Sequence, residues 1–283
     1  MTEKKVIVLG AKGMLGTTLV KFLKAKSGFK IYTHSQTSSA DFQSDLTDYE
    51  GVEQLFRNEK FDFCINALAL TDVNKAESDL ELARQLNVKP VQNIVSAVLK
   101  NNLDLKLIQI STDHVYNKRN SKESDIKILN QYALTKYGAD EIATEMDSVV
   151  LRTNFFGASE VEKRSFSDWI LESLAQKKKL TGFSDVYFNP LHIQTLCLAI
   201  FRVLGDFKKG VFNLGSKKGM SKFEFMLRLA RHKKLSEDLI EGISYADSEI
   251  AVPRPTEMMM DVGLFESTYM FELPSLEDEI KRC

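Results

Sequence analysis

Long apolar runs are missing from this chain. No stretch approaches the ~20 residues that a bilayer-spanning helix needs, which excludes that kind of membrane protein. Cysteine is scarce, with Cys64, Cys197 and Cys283 as the whole complement. An odd, sparse count without ligand spacing excludes a disulfide framework, points to no bound metal, and suits a reducing cytoplasm. Cys64 and Cys197 are read as core fillers and Cys283 as a terminal residue. An excess of one charge is also missing, since 38 basic side chains meet 39 acidic ones. No electrostatic footprint for a nucleic acid polymer follows from such a balance. The run Lys177-Lys178-Lys179 is read as a solvated helix end, where cations favour the helix dipole. Met1 to Lys5 leads straight into an apolar run and is expected to be no signal peptide. What is present is a chain of 283 residues, 43% of them hydrophobic. That is enough for one large domain or two joined ones with a sizeable core.

Val6-Ile7-Val8-Leu9 reads as a buried strand, rich in β-branched residues and bounded by glycine. Gly10-Ala11-Lys12-Gly13-Met14-Leu15-Gly16 follows at once, and Leu15, Leu19, Phe22 and Leu23 then carry helical spacing. Strand, glycine turn and helix make a phosphate seat. Glycine permits the tight turn and close backbone approach, and free N–H groups at the helix start face a pyrophosphate. An acid closing the second strand would hold a ribose 2′-hydroxyl and favour NAD. That strand instead ends Ile31-Tyr32-Thr33-His34-Ser35, while Lys12 and Ser35 are placed to meet a 2′-phosphate. NADPH is the expected cofactor, with NADH also open.

Strands are expected near 5–9, 29–33, 62–67, 105–111 and 148–152, and helices near 14–26, 48–58, 78–100 and 131–146. Pro90 should kink or split the third helix. This alternation predicts an α/β fold built on a doubly wound parallel sheet of Rossmann type. After residue 155 the pattern loosens into helices near 165–176, 191–204 and 221–232, and short strands near 180–183 and 211–214. A loop at 251–257 carries two prolines. We therefore expect a dinucleotide-binding domain over 1–155 and a smaller C-terminal lobe over most of 156–283. That boundary is approximate, and the chain is free to cross between the lobes.

Tyr132 and Lys136 stand four apart in a segment that reads as helix, so they share one face. A phenol has an ordinary pKa of about 10. A neighbouring ammonium favours the phenolate, which makes the phenol a better proton donor near neutrality. Upstream, the strand from Leu105 to Ile110 runs into Ser111-Thr112-Asp113-His114. Hydroxyls at the carboxyl end of a parallel strand open onto the crevice where such sheets bind ligands.

With these pieces in order, the chain resembles the extended short-chain dehydrogenase/reductase superfamily, and within it the dTDP-4-dehydrorhamnose reductase family. The matching segments are G-A-K-G-M-L-G at 10–16, D-L at 45–46, N-A-L-A-L-T-D-V-N-K-A-E at 66–77 and L-N-V at 86–88. They continue with S-T-D-H-V-Y at 111–116, Y-A-L-T-K at 132–136, L-R-T-N at 151–154, F-N-L-G at 212–215 and R-P at 254–255. Departures are Leu68 for a small residue, Ala133 for Gly, and Phe155 where that family often has Trp. The resemblance implies that Asp45 receives the adenine amino group and Leu46 packs the ring. Asp45 has a second reading, as cap of the helix starting near Thr47-Asp48. It further implies that Ala67, Leu68 and Ala69 pass under the cofactor, and that Asn154 and Phe155 reach the nicotinamide carboxamide. Asn87 and Arg152 are read as structural. Thr112, Tyr132 and Lys136 would be catalytic, and Tyr132 and Lys136 would also touch the cofactor. Asp113 and His114 would contact the sugar, Tyr187 and Asn189-Pro190 would build its pocket, and Arg164 and Arg254 are candidates for the substrate diphosphate.

The expected activity is reduction of a nucleotide-linked 4-keto-6-deoxy sugar, for deoxysugar and surface polysaccharide biosynthesis, by a cytoplasmic enzyme for which a homodimer is open. Dehydration is disfavoured, because the related dehydratases place Asp-Glu where this chain has Asp113-His114. Two alternatives stay open. One is a 4-epimerase, which needs little beyond Tyr, Lys and tightly held NAD. The other is a non-catalytic NADP-binding subunit, like the regulatory subunit of methionine adenosyltransferase.

Overall fold

The computed structural model describes residues 3–36, 39–162 and 164–283; Met1 and Thr2 of the N-terminal reading lie outside them. Its chain changes between two compact units after residues 112, 129, 152, 199 and 211. The first unit thus holds 1–112, 130–152 and 200–211, and the second holds the rest. Residues 113–129 go with the second unit and 200–211 with the first, so the chain crosses between units on both sides of the approximate boundary at 155.

In the first unit the order is β1 (Lys4–Leu9), α1 (Met14–Lys24), β2 (Phe29–Ser35), β3 (Phe42–Gln43), α2 (Tyr49–Asn58) and β4 (Phe63–Asn66). Then come α3 (Val73–Ser78), α4 (Leu80–Asn87), α5 (Lys89–Asn101), β5 (Lys106–Thr112), α6 (Gln131–Ala143) and β6 (Ser148–Thr153). The seven-stranded sheet has Gly210–Leu214 at one edge, followed by β6-β5-β4-β1-β2-β3. β1 pairs in parallel with β2 and β4, β2 with β3, and β4 with β5. Helices cover such a sheet, which explains the unbroken apolar runs: Val6 to Leu9 and Phe63 to Ile65 are all buried. On α1, Leu15, Leu19 and Leu23 repeat every four residues and are all buried.

The expected helix over 78–100 is two helices. Pro90 sits in the first turn of α5, where a missing N–H costs nothing, so it starts a helix there. Asp48, accepting from the N–H groups of Glu50 and Gly51, caps α2. Asp45 does not; it accepts from Thr47 N and Oγ1, both at 2.8 Å.

The second unit has its own aromatic core, with Phe156, Phe188 and Phe225 packed edge-on and Ile170, Leu229 and Leu276 around them. Its strands are short pairs: 155–156 with 191–192, 187–188 with 220–221, and 180–183 with 240–243. The loop 251–257 is held through Asn117 Oδ1, which accepts from Thr256 N and Glu257 N, and through Tyr245 Oη, which accepts from Arg254 N. Among the described residues no helix is long and apolar enough to cross a membrane, and no group of His, Cys, Asp and Glu can hold a metal ion. Cys64 and Cys197 are buried, and burial pushes the Cys197 thiol up to about 12.

Candidate active site

The sheet order reverses between β1 and β4, the place where doubly wound folds bind ligands. The glycine turn lies there. Gly10 has φ +73°, and a Cβ on it would meet Ala67 C and O at 3.1 Å and Leu68 Cδ2 at 3.2 Å. The turn and the 67–68 backbone are therefore in close contact. A Cβ on Gly16 would fall 2.1 Å from Gly10 O, so only glycine lets α1 pack back on its own turn.

Gly13 is different. Its φ −76° and ψ 170° suit any residue, and a Cβ would meet only Gly10 O, at 3.4 Å. It stands at the N-cap of α1 with no side-chain hydrogen bond to the helix end, and the first turn carries no acid. The protein's own packing gives no reason for glycine at 13, whereas an anion approaching the backbone at Met14, Leu15 and Gly16 does. The seat fits a dinucleotide pyrophosphate.

Around the turn, Lys12 Nζ donates to Ser39 Oγ at 2.9 Å, in the segment that follows β2. Asp41, in the same segment, has its carboxylate turned onto Thr33, accepting from N at 2.8 Å and Oγ1 at 2.7 Å. Those bonds hold its carboxyl below the usual range. Ser35 closes β2 half-buried, and Leu46 is buried in the core, its carbonyl accepting from Asn93 Nδ2.

Tyr132 and Lys136 lie one turn apart on α6, both buried. Asn130 caps this helix by accepting from Ala133 N. Lys136 Nζ donates to Ile110 O on β5 at 2.8 Å. Burial pushes Lys136 down to about 8, with the Asp140 carboxylate pulling the other way. The carbonyl that receives Lys136 also accepts from Gln109 Nε2, and Gln109 Oε1 accepts from Asn66 Nδ2. Asn87 is the buried tie the sequence suggested: its Oδ1 accepts from Leu70 N, and its Nδ2 donates to Thr135 Oγ1. The loop after β4 is thereby fixed to the helix that carries Tyr132.

Two hydroxyls end β5. Ser111 Oγ donates to Asp140 Oδ2 at 2.9 Å, which commits it to the interior of the first unit. Thr112 is buried at the strand's last position, and the chain enters the second unit directly after it. Arg152 Nε donates to the same Asp140 oxygen at 3.0 Å. Asp140 escaped the sequence reading. Its spacing of four from Lys136 was visible, but an acid on a helix usually marks a solvated face.

In the second unit, Asn154 Nδ2 donates to Asp113 Oδ2 at 2.8 Å, so these two predicted residues meet. Burial, with Lys222 and Arg254 nearby, pushes His114 down to about 3, which keeps the imidazole neutral. Lys222 is pushed down by burial and by Arg254, and up by Asp113. Lys222 had no sequence signal, since it opens a helix at Lys222–His232 that reads as amphipathic surface. Tyr187 carries Arg119 over its ring at 4.3 Å, and Arg119 holds Glu257 through two nitrogens. Phe155 is half-buried and forms a short strand with Phe156. Asn189 is fully used inside, donating to Ser216 O and Met260 O and accepting from Met260 N. Arg164 stands elsewhere, exposed and paired with Glu172 beside Trp169, in a groove of about 410 Å³ that contains none of Asp113, His114 or Arg254.

Residues 4–283 match the family model described as the RmlD substrate binding domain. Among curated relatives, a probable low-salt glycan biosynthesis reductase, Agl14, from Haloferax volcanii is 25% identical, with 96% of this chain and 95% of that one covered. A dTDP-4-dehydrorhamnose reductase from Aggregatibacter actinomycetemcomitans is 24% identical, covering 94% of this chain and 93% of its own. Among solved structures, a dTDP-4-dehydrorhamnose reductase from Bacillus anthracis in complex with NADP superposes with a TM-score of 0.89. It is 21% identical and covers 99% of this chain and 98% of that one, a likeness of fold.

Proposed function

We propose that this chain, which belongs to the RmlD substrate binding domain family, is an NADPH-dependent reductase of a nucleotide-linked 4-keto-6-deoxy sugar. The observation that carries the reading is the buried Tyr132–Lys136 pair on α6, with Lys136 tied to the end of β5. Full-length relatives described as a glycan biosynthesis reductase and a dTDP-4-dehydrorhamnose reductase support the substrate class.

NADPH, when bound, supplies the hydride. The backbone at Gly13, Met14, Leu15 and Gly16 would hold its pyrophosphate, Lys12 and Ser35 its 2′-phosphate, and Lys136 its nicotinamide ribose. Asp45, Leu46, Ala67, Leu68 and Ala69 are assigned to the cofactor too, and by the family resemblance so are Asn154 and Phe155. As the ketone oxygen gains negative charge, Tyr132 Oη gives it a proton. Thr112 donates a second hydrogen bond, strongest in the transition state. Lys136 as an ammonium lowers the cost of leaving Tyr132 a phenolate. Asp113, His114, Tyr187 and Arg254 are the residues assigned to the substrate, and Lys222, which acts on His114, is added to them. A neutral His114 and an Asp113 held by Asn154 supply no second acid, which weighs against dehydration. Assembly of two copies in the cytoplasm is part of the proposal.

A turnover screen of dTDP-, UDP-, GDP- and CDP-linked 4-keto-6-deoxy sugars with NADPH and NADH tests the reading. Net NADPH oxidation with one of them is expected. Isomerisation without net oxidation, or tight NADPH binding without any turnover, would replace it with the epimerase or the binding-subunit reading.

The cofactor preference gives a separate expectation. Charge-assisted bonds are worth about 1.5–3 kcal/mol, on the order of tenfold or more in affinity. Lys12→Ala should therefore narrow an NADPH-over-NADH advantage by about that factor while leaving NADH binding unchanged. Fluorescence titration with both nucleotides reads it directly, and a wild-type preference for NADH would defeat the assignment.

A further inference from the structure

We propose that Asp140 is a positioning residue that holds Lys136 in its ammonium form beside Tyr132, with Ser111 and Arg152 clamping the carboxylate for that task. The functional weight of this inference rests on the reductase reading above; the ionisation it predicts does not.

Tyr132, Lys136 and Asp140 follow one another at intervals of four along α6, a row on one face. All three are buried, and Asp140 has no exposed surface at all. An ammonium taken out of water tends to shed its proton unless a counter-charge stands close. Ile110 on β5 offers a carbonyl, Ser111 next to it is spent on Asp140, and Arg152 on β6 is cationic. Glu77 on α3 accepts from Gln131 N. On α6 itself, Tyr137 lies against Arg152. Asp140 is the carboxylate whose charge acts on Lys136.

The way Asp140 is held argues for more than a stabilising ion pair. An arginine and a carboxylate paired for their own sake favour the two-bond fork. Here Arg152 gives one nitrogen, Nε, to Oδ2, and Ser111 shares that same oxygen. Oδ1 is buried and accepts no hydrogen bond from any described residue. One oxygen is fixed from two strands, and the other keeps its charge within the same buried row as Lys136. Burial pushes the Asp140 carboxyl above the usual carboxylate range, and Arg152, Ser111 and Lys136 each pull it back toward the ionised form. Buried pairs are weak evidence for stability in themselves, so an electrostatic duty toward Lys136 gives this one a use.

Isotopic labelling of lysine Cε, with the Lys136 resonance assigned by its loss in Lys136→Arg, reads the ionisation without reference to turnover. The wild-type midpoint is expected near pH 8. Asp140→Asn keeps shape and acceptor atoms but removes the charge, and should lower the midpoint by about one unit or more, a tenfold change in ionisation. If that variant fails to fold because Arg152 is left unpaired, Asp140→Asn with Arg152→Gln is compared with Arg152→Gln alone, and the midpoint should be lower in the double variant. In turnover, the alkaline fall of kcat should shift to lower pH alongside the NMR midpoint, so the deficit shrinks as pH is lowered. A folded variant whose Lys136 midpoint stays at the wild-type value overturns the proposal. A wild-type chain that reduces no keto-sugar sinks the reductase reading instead and leaves the lysine titration to decide Asp140.

Discussion

Tyr132→Phe is expected to lower kcat by about 10²–10⁴-fold, the usual contribution of a positioned general acid. The change deletes one oxygen and keeps the ring that α6 buries, so folding and NADPH binding should persist. Thr112→Val should cost less, because one of the two donors to the developing oxyanion remains. Lys136→Met should damage turnover and cofactor affinity together, since one ammonium serves both. The pH dependence has a definite sign. Lys136 sits near 8, so its charge is present below that value and lost above it, and kcat should fall on the alkaline side. Steady-state kinetics on one confirmed keto-sugar, run from pH 6 to 9.5, would measure all of this. Near-wild-type turnover by Tyr132→Phe would leave a likeness of fold and remove the reductase reading.

Local sequence carried much of this site because its parts are local. β1, the glycine turn and α1 are contiguous, so hydrophobic run, glycine and helical spacing report on one another. Tyr132 and Lys136 are one helical turn apart, and spacing alone puts them on a common face. What stayed hidden depends on distant partners. The strand 210–214 reads as a short strand, but nothing in it says that it borders the main sheet. The pairs 155–156 with 191–192 and 187–188 with 220–221 are two residues long, below any periodicity signal. Asp140 becomes intelligible only when Ser111 arrives from β5 and Arg152 from β6. Asn189 shows the converse. The family resemblance suggested a sugar contact for it, but Gly215 packs its backbone against Asn189 and the side chain is spent joining two loops.

The glycine turn offers the sharpest separation of fold from function, because two of its glycines are there for different reasons. Gly16→Ala would put Cβ 2.1 Å from Gly10 O and 2.8 Å from Ala11 Cα, both backbone atoms that no rotamer change can move aside. Overpacking of this kind costs ~1–3 kcal/mol when side chains can yield, and a backbone clash belongs at or above the upper end. At ~2–4 °C per kcal/mol, Tm should fall by about 10 °C or the chain should fail to accumulate folded. Gly13→Ala meets only one atom, at 3.4 Å, in a backbone conformation that alanine adopts freely. Its Tm without nucleotide should stay within about 2 °C of wild type, the span of a surface substitution near ±0.5 kcal/mol. The added methyl stands where an anion must approach the start of α1, so NADPH should bind at least tenfold more weakly and give less thermal protection. Thermal melts of both variants with and without NADPH decide the point. If Gly13→Ala were protected as well as wild type, the pyrophosphate would not lie on this helix end. If Gly16→Ala melted at the wild-type temperature, the turn would not have the packing described.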